Sequence, residues 1–288
     1  MRLIRTRKCR RFIRRLSYRV PRLEWVYRVC KLYIDNYHAD NNADMRCNGE
    51  LQFLRRTVAF VSRYCSEPVI FDVGANHGVW CREVLAVNPR ARVHCFEPAT
   101  STWEELKRSR LPPNVVCNRL ALGAQKGTLQ LNIVAPGSEL NSFHPLEKDG
   151  SSSTENVTVS TVADYCDEHH LQHVDFLKID AEGHDFAVLE GAADVLGDAR
   201  ISFVQFEYGQ GFIPARVFLR DIFEFLKRFN YDIYKIRPDG LTRVAKYSSQ
   251  LERFENANYT LVSRRLPAFW RASISKSTRG LKGSERSR

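Results

Sequence analysis

Four acidic residues in this 288-residue chain stand at or near the ends of apolar, strand-like runs. Asp72 follows Val69 to Phe71, Glu97 follows Val93 to Phe96, Asp180 ends Val174-Asp-Phe-Leu-Lys-Ile-Asp180, and Glu207 lies near the end of Ile201 to Tyr208. Carboxylates in such places can accept sugar hydroxyls, take a proton from an alcohol, or hold a divalent cation. Between the first two, Asp72-Val-Gly-Ala-Asn-His-Gly78 reads as a buried strand that breaks into a tight glycine turn and re-enters as a helix. Gly74 leaves room for a ligand to approach the backbone. Glu97 follows the turn by roughly 20 residues, the spacing at which an acid reaches ribose hydroxyls. Asn76 stands where the dinucleotide pattern Gly-x-Gly-x-x-Gly has its second glycine. A pyrophosphate wants that close approach, whereas S-adenosylmethionine has no phosphate, so the turn favours S-adenosylmethionine over a nicotinamide cofactor.

The elements that must position these residues alternate. Strand patterns and helical patterns succeed one another from Val69 to Arg216, which implies a mostly parallel sheet covered by helices on both faces. In such a sheet the strand ends share one edge, so the four carboxylates line one crevice. Val79 to Val87 reads as a helix stopped by Asn88-Pro89, and Ser101-Thr-Trp-Glu104 has the spacing of a capping box. Val115 to Leu122 and Thr128 to Val134 are strand-like. Ala135 to Asn156 is polar and Ser/Gly-rich, a mobile loop near the site. Val157 to Thr161 reads as a further strand, His184 to Leu196 and Arg216 to Phe229 as helices, and Tyr231 to Ile236 with Tyr259 to Ser263 as a closing antiparallel pair. Near the start, Trp25, Val26, Val29, Leu32 and Tyr33 recur at helical spacing and predict a short helix packed on the core; Leu51 to Cys65 predicts a second.

The formal charge of +11 is unevenly spread. The first 31 residues hold twelve Lys/Arg against one acid and the last 25 hold eight against one, which leaves the middle at −7. The basic ends therefore suit anionic membrane, nucleic acid or an organelle transit signal, while the acidic middle argues against nucleic acid in the crevice. Eight cysteines without a Cys-x-x-Cys pair read as free thiols, Cys81 and Cys95 among them buried. No apolar run is long enough to span a bilayer and no secretory pattern follows Met1, so the chain reads as soluble and intracellular, most simply cytoplasmic.

Taken together, Phe71-Asp-Val-Gly-Ala-Asn-His-Gly78, Phe96-Glu-Pro98, Asn118 to Leu122, Thr161-Val-Ala-Asp164, Asp175 to Asp185 and Val188-Leu-Glu-Gly-Ala192 resemble the FkbM family of methyltransferases. The resemblance covers roughly residues 68 to 263. It implies an α/β class I methyltransferase fold, Rossmann-like and doubly wound, with seven strands of which the last is antiparallel, preceded here by N-terminal helices. The domain then runs over 51–265, after a basic, partly helical segment 1–50 and before a basic, disordered tail 266–288. It also implies S-adenosyl-L-methionine as cofactor and methylation of a hydroxyl on a sugar, glycan, lipid-linked glycan or other natural product.

Carried onto this chain, Asp72, Gly74, Ala75 and Asn76, within the turn closed by Gly78, embrace the methionine moiety. Glu97 accepts both ribose hydroxyls and Ala121 lies near the adenine. Methyl transfer from a sulfonium needs the nucleophile aligned and its proton accepted. Asp180 is the first candidate base. His184, opening the next helix, is a second, and Glu207 or Glu182 can position acceptor hydroxyls. Asp180 and Glu207 are too few carboxylates to assign a metal site. Two other readings remain at this stage: a nicotinamide oxidoreductase, and a non-catalytic scaffold that binds membrane or nucleic acid through its basic ends.

Overall fold

The computed structural model describes residues 23–135, 138, 141–144 and 153–266, together with Arg11 and Arg15. Most of the basic N-terminal segment, the tail after 266 and much of the expected 135–156 loop lie outside the described residues. The chain divides into two units, Met1–Asp40 and Asn41–Arg288.

In the first unit the predicted helix forms over Glu24–His38 and is closed by Ala39 in the left-handed region, φ 55°. Trp25 is 65% exposed and Tyr33 70%, while Asp35 is the one buried residue of the helix.

The second unit carries β1 (Val69–Val73), β2 (Arg92–Phe96), β3 (Val115–Asn118), β4 (Ala121–Leu122), β5 (Gly127–Ile133), β6 (Ser153–Ser160), β7 (Val174–Ile179), β8 (Ile201–Tyr208), β9 (Tyr231–Arg237), β10 (Gly240–Arg243) and β11 (Ala257–Ser263). The main sheet has the order β10-β9-β11-β8-β7-β1-β2-β3. Seven of its strands form the doubly wound class I sheet, β3, β2, β1, β7 and β8 parallel, with β11 antiparallel between β8 and β9. The eighth, β10, is an edge hairpin partner of β9. No apolar run marks it, because only Leu241 of its four residues is buried. A second sheet, β4-β6-β5, takes up only the end, Ala121–Leu122, of the segment read as one strand from Val115 to Leu122. The chain breaks at Arg119-Leu120, and β4 turns away to pair with β6.

Strand alternation divides the core between the two faces. From β1, Ile70 packs with Phe53 and Leu54 of the helix Glu50–Val61 and with Trp80 and Cys81 of the helix Val79–Val87. Phe71 and Val73 pack on the other face with Val188 and Leu189 of Asp185–Gly191 and with Ile222 of Leu219–Leu226. Each fully buried side chain of this size contributes about 1.5–3 kcal/mol.

Local signals decide where helices begin and stop. Val79–Val87 ends at extended Asn88, before Pro89, which disfavours helical backbone at the preceding residue. Thr161 caps the helix Val162–Glu168 by accepting from the Asp164 N–H at 2.9 Å. The expected capping box at Ser101–Glu104 is absent. The helix Thr100–Arg108 starts one residue earlier, and its Thr100 N–H donates to Glu155 of β6. The helix expected over His184 to Leu196 is two, Asp185–Gly191 and Ala193–Gly197. A Cβ on Gly191 would lie 2.0 Å from the Gly123 carbonyl oxygen, so the chain passes there only as glycine.

Candidate active site

β1 sits where the strand order reverses, with β2 on one side and β7 on the other. Ligands of open α/β sheets bind at this point, beyond the carboxyl ends of the strands. The turn after β1 is built for close packing. Gly74 has φ 74°, and a Cβ there would lie 1.8 Å from the Asp180 carbonyl oxygen. Its N–H and that of Ala75 both donate to the Phe96 carbonyl at 3.0 Å, tying the turn to the end of β2. Asn76 follows in the left-handed region, φ 45°, and Gly78, φ 72°, precedes the helix.

Glu97 is held from both sides. Its Oε2 accepts from the Asn76 N–H and its Oε1 from the Ala99 N–H, each at 3.0 Å. Burial pushes its pKa up to about 7 even though these two backbone donors favour the charged form. The residue is therefore a carboxylate with fixed orientation, poised near neutrality.

Beneath the next strand ends lies one buried cation. Lys178 of β7 is the register partner of Asp72 in β1, and its Nζ is 3.4 Å from Asp72 Oδ1 and 3.2 Å from Asp180 Oδ2. Burial works against the charge of Lys178, but Asp180, Asp72 and Glu50 hold its pKa above the ordinary lysine value. Burial raises Asp72 in turn, with Lys178 opposing. Glu50, at the start of its helix, accepts from Gln205 Nε2 at 2.7 Å, and the same amide donates to Asn258 Oδ1 at 3.1 Å. Glu207 is the register partner of Asn258, and burial, then Asp180 and Glu182, keep it well above the carboxylate range.

These groups border a cavity of about 450 Å³. Of the residues singled out from sequence, Gly74, Ala75, Asn76, Glu97, Ala121, Asp180, Glu182 and Glu207 line it. Asp72, Gly78 and His184 are not among its lining residues. Asp72 is fully buried and bears on the site through Lys178. Gly78 shapes the turn, since a Cβ there would meet Leu106 Cδ1 at 2.7 Å. His184 is 9% exposed, under the Phe143 ring at 4.6 Å, and burial followed by His144 lowers its pKa to about 4. It is a neutral, enclosed imidazole and not a surface residue at a helix start. Asn118 is structural: its amide donates to the Cys95 carbonyl at 3.0 Å and its oxygen accepts from Tyr165 Oη at 3.2 Å.

Ser138, Asn141 and Phe143 bring the described part of the 135–156 segment to the cavity, and Ser142 Oγ donates to the Glu182 carbonyl at 2.8 Å. Lys178, Asn48, Glu50, Asn256 and Asn258 also line it and were not anticipated. A lysine inside the apolar run Phe176 to Ile179 was the one local signal available. Among the described residues no group of three or more His, Cys, Asp or Glu is placed to hold a metal ion.

The methyltransferase FkbM domain family matches residues 72–233. Similar chains include the 2-O-methyltransferase NoeI of Sinorhizobium fredii, 27% identical over 53% of this chain and 70% of that one. The hexuronic acid methyltransferase AglP of Haloferax volcanii is 27% identical over 52% of this chain and 60% of that one, so this chain spans less than two thirds of it. The 31-O-demethyl-FK506 methyltransferase FkbM of Streptomyces tacrolimicus is 25% identical over 51% and 70%. Methyltransferases of this family use S-adenosylmethionine, and the site fits it. Gly74 lines the cavity in a turn that only glycine can form, packed against the Asp180 carbonyl. Asn76 Oδ1 and Trp80 Nε1 are buried polar atoms without a hydrogen-bond partner among the described residues, and both residues line the cavity.

Proposed function

We propose, for a chain that belongs to the FkbM methyltransferase family, that it methylates a hydroxyl oxygen on a sugar or glycan acceptor. S-adenosylmethionine, when bound, supplies a methyl group already activated on a sulfonium. Gly74, Ala75 and Asn76 would hold its amino-acid end, Glu97 would accept the ribose hydroxyls, and Ala121 would pack near the adenine. What remains for the protein is to orient the acceptor oxygen and take its proton.

The observation that carries the reading is the pairing of Asp180 and Glu207 at one cavity wall. Ile179 and Phe206 are register partners on adjacent parallel strands, so the residues that follow them, Asp180 and Glu207, come out side by side. Asp180 takes the role of base, oriented by Lys178. Glu207, whose carboxyl burial pushes up, lines the same wall beside Asp180 and suits a hydroxyl-positioning role. His184 is withdrawn as a base, since it does not line the cavity. The names of two relatives, a 2-O-methyltransferase and a hexuronic acid methyltransferase, support a sugar hydroxyl as the acceptor class.

The test is transfer of labelled methyl from S-adenosylmethionine to a panel of hydroxylated glycans, by wild type and by Asp180→Asn. We expect turnover to fall by about 10²-fold or more in the variant while S-adenosylhomocysteine affinity changes little. Equal loss of affinity and turnover would move Asp180 from catalysis to cofactor binding. Wild-type binding without transfer to any hydroxyl would remove the O-methylation reading.

A further inference from the structure

The walls of the cavity come from different parts of the chain. Gly74, Ala75, Asn76, Glu97 and Ala121, the residues placed around S-adenosylmethionine, lie within the family-matched span 72–233. Asn48 and Glu50 precede that span, and Asn256 and Asn258 follow it. The two flanking segments are tied to each other. The Asn41 N–H donates to the Asn256 carbonyl at 2.8 Å, and the Asn41 side-chain amide donates to Glu255. Gln205, buried in β8, holds Glu50 and Asn258 through one amide nitrogen, and Asn258 stands in register with Glu207. Glu50, Asn258 and Glu207 therefore belong to one polar surface fixed by the main sheet.

That surface offers hydrogen bonds but no spare cation. The Asn256 carboxamide and Asn258 Nδ2 have no hydrogen-bond partner among the described residues, and carboxamides supply both the donors and the acceptors that sugar hydroxyls need. Glu50, Asp180, Glu182 and Glu207 all border the cavity, and Lys178 is the one Lys or Arg among its described lining residues. Lys178 is already engaged, at 3.4 Å from Asp72 and 3.2 Å from Asp180. Burial raises the pKa of both Glu50 and Glu207, and Asp180 pushes each further in the same direction. A carboxylate or phosphate entering here would give up its water and meet like charges instead of a countercharge.

We propose that the acceptor is a sugar without an anionic group, its hydroxyls read by Asn256 and Asn258 beside Glu50 and Glu207, and that this wall excludes uronic acids and sugar phosphates. The inference rests on the O-methylation reading. The test is transfer of labelled methyl to matched p-nitrophenyl hexosides, hexuronides and hexoside 6-phosphates by the full chain, as wild type, Glu50→Gln and Asn256→Ala. Wild type should favour the neutral member of each set by about tenfold or more in kcat/KM. Glu50→Gln keeps an oxygen to accept from Gln205 and removes only the charge, so the ratio should narrow by about threefold or more. Asn256→Ala should raise KM for the neutral member by about tenfold, with a smaller effect on kcat. S-adenosylhomocysteine affinity controls for folding, and Glu50→Gln carries the test alone should Asn256→Ala fail that control. Anionic members methylated as well as neutral ones would overturn the proposal and leave O-methylation standing. An unchanged ratio in Glu50→Gln together with an unchanged KM in Asn256→Ala would overturn the role of the wall. Transfer to no member would remove the O-methylation reading and the proposal with it.

Discussion

Replacing Glu97 by glutamine should uncouple two pH dependences that the wild type binds together. In the free protein the Glu97 carboxyl has a pKa of about 7 against an ordinary value of 4.5, with burial as the leading cause. The folded state therefore holds its proton more tightly than the unfolded state. Stability falls as pH rises from the unfolded value towards 7, and the penalty is complete above it. The linkage between these two values amounts to about 2.5 kcal/mol between about pH 5 and about pH 8. Glutamine cannot ionise. Its amide leaves one of the two backbone donors, Asn76 N–H or Ala99 N–H, facing another donor, but that loss does not vary with pH. Urea unfolding of both proteins across this range should thus show the variant gaining on the wild type by about 2.5 kcal/mol as pH rises. Cofactor binding should move the other way. Ribose hydroxyls donate to an ionised carboxylate, so wild-type affinity for S-adenosylhomocysteine should weaken about tenfold per pH unit below about pH 7. The variant should bind weakly at every pH. Calorimetric titration giving a flat wild-type profile, with parallel stability curves, would refute both the buried-carboxyl argument and the ribose assignment.

Gly74→Ala places a methyl group 1.8 Å from the Asp180 carbonyl oxygen at a φ of 74°. Thermal unfolding should show a loss of more than about 2 kcal/mol, and S-adenosylhomocysteine binding should disappear, because the turn can relieve the overlap only by moving off β7. Lys178→Met leaves Asp72 buried without its countercharge, which should destabilise by about 3–5 kcal/mol near neutral pH. That deficit should shrink in acid as Asp72 takes up a proton. Urea titrations at the two pH values test this, and a deficit independent of pH would mean that Lys178 matters for packing alone.

Local chemistry explains what could be read in advance. The glycine turn, the Asn88-Pro89 stop and the Thr161 cap are written in a few adjacent residues, and strand-end acids stand out against apolar runs. Lys178 acquires meaning only from its register with Asp72, a pairing between distant strands. Glu50, Asn256 and Asn258 reach the cavity through packing of segments far apart in sequence, so no local pattern marks them. The Ser101 capping signal lost to Glu155, an acceptor supplied by another sheet. Periodicity found the Glu24–His38 helix. A histidine at a helix start reads the same whether or not a Phe143 ring covers it.

The placement of β11 between β8 and β9 has a consequence for how the protein is made. Synthesis delivers β8 and β9 to solvent before the strand that joins them, and until residues 257–263 have emerged both present unpaired edges. The other half, β1 to β3 with β7, can pair as it leaves the ribosome. The half of the sheet that carries Asn258 beside Glu207 has to wait. A stalled or prematurely released chain would hold the glycine turn after β1 beside an open, aggregation-prone seam. Completion of the cavity wall formed by Glu207 and Asn258 therefore reports that β11 has been made.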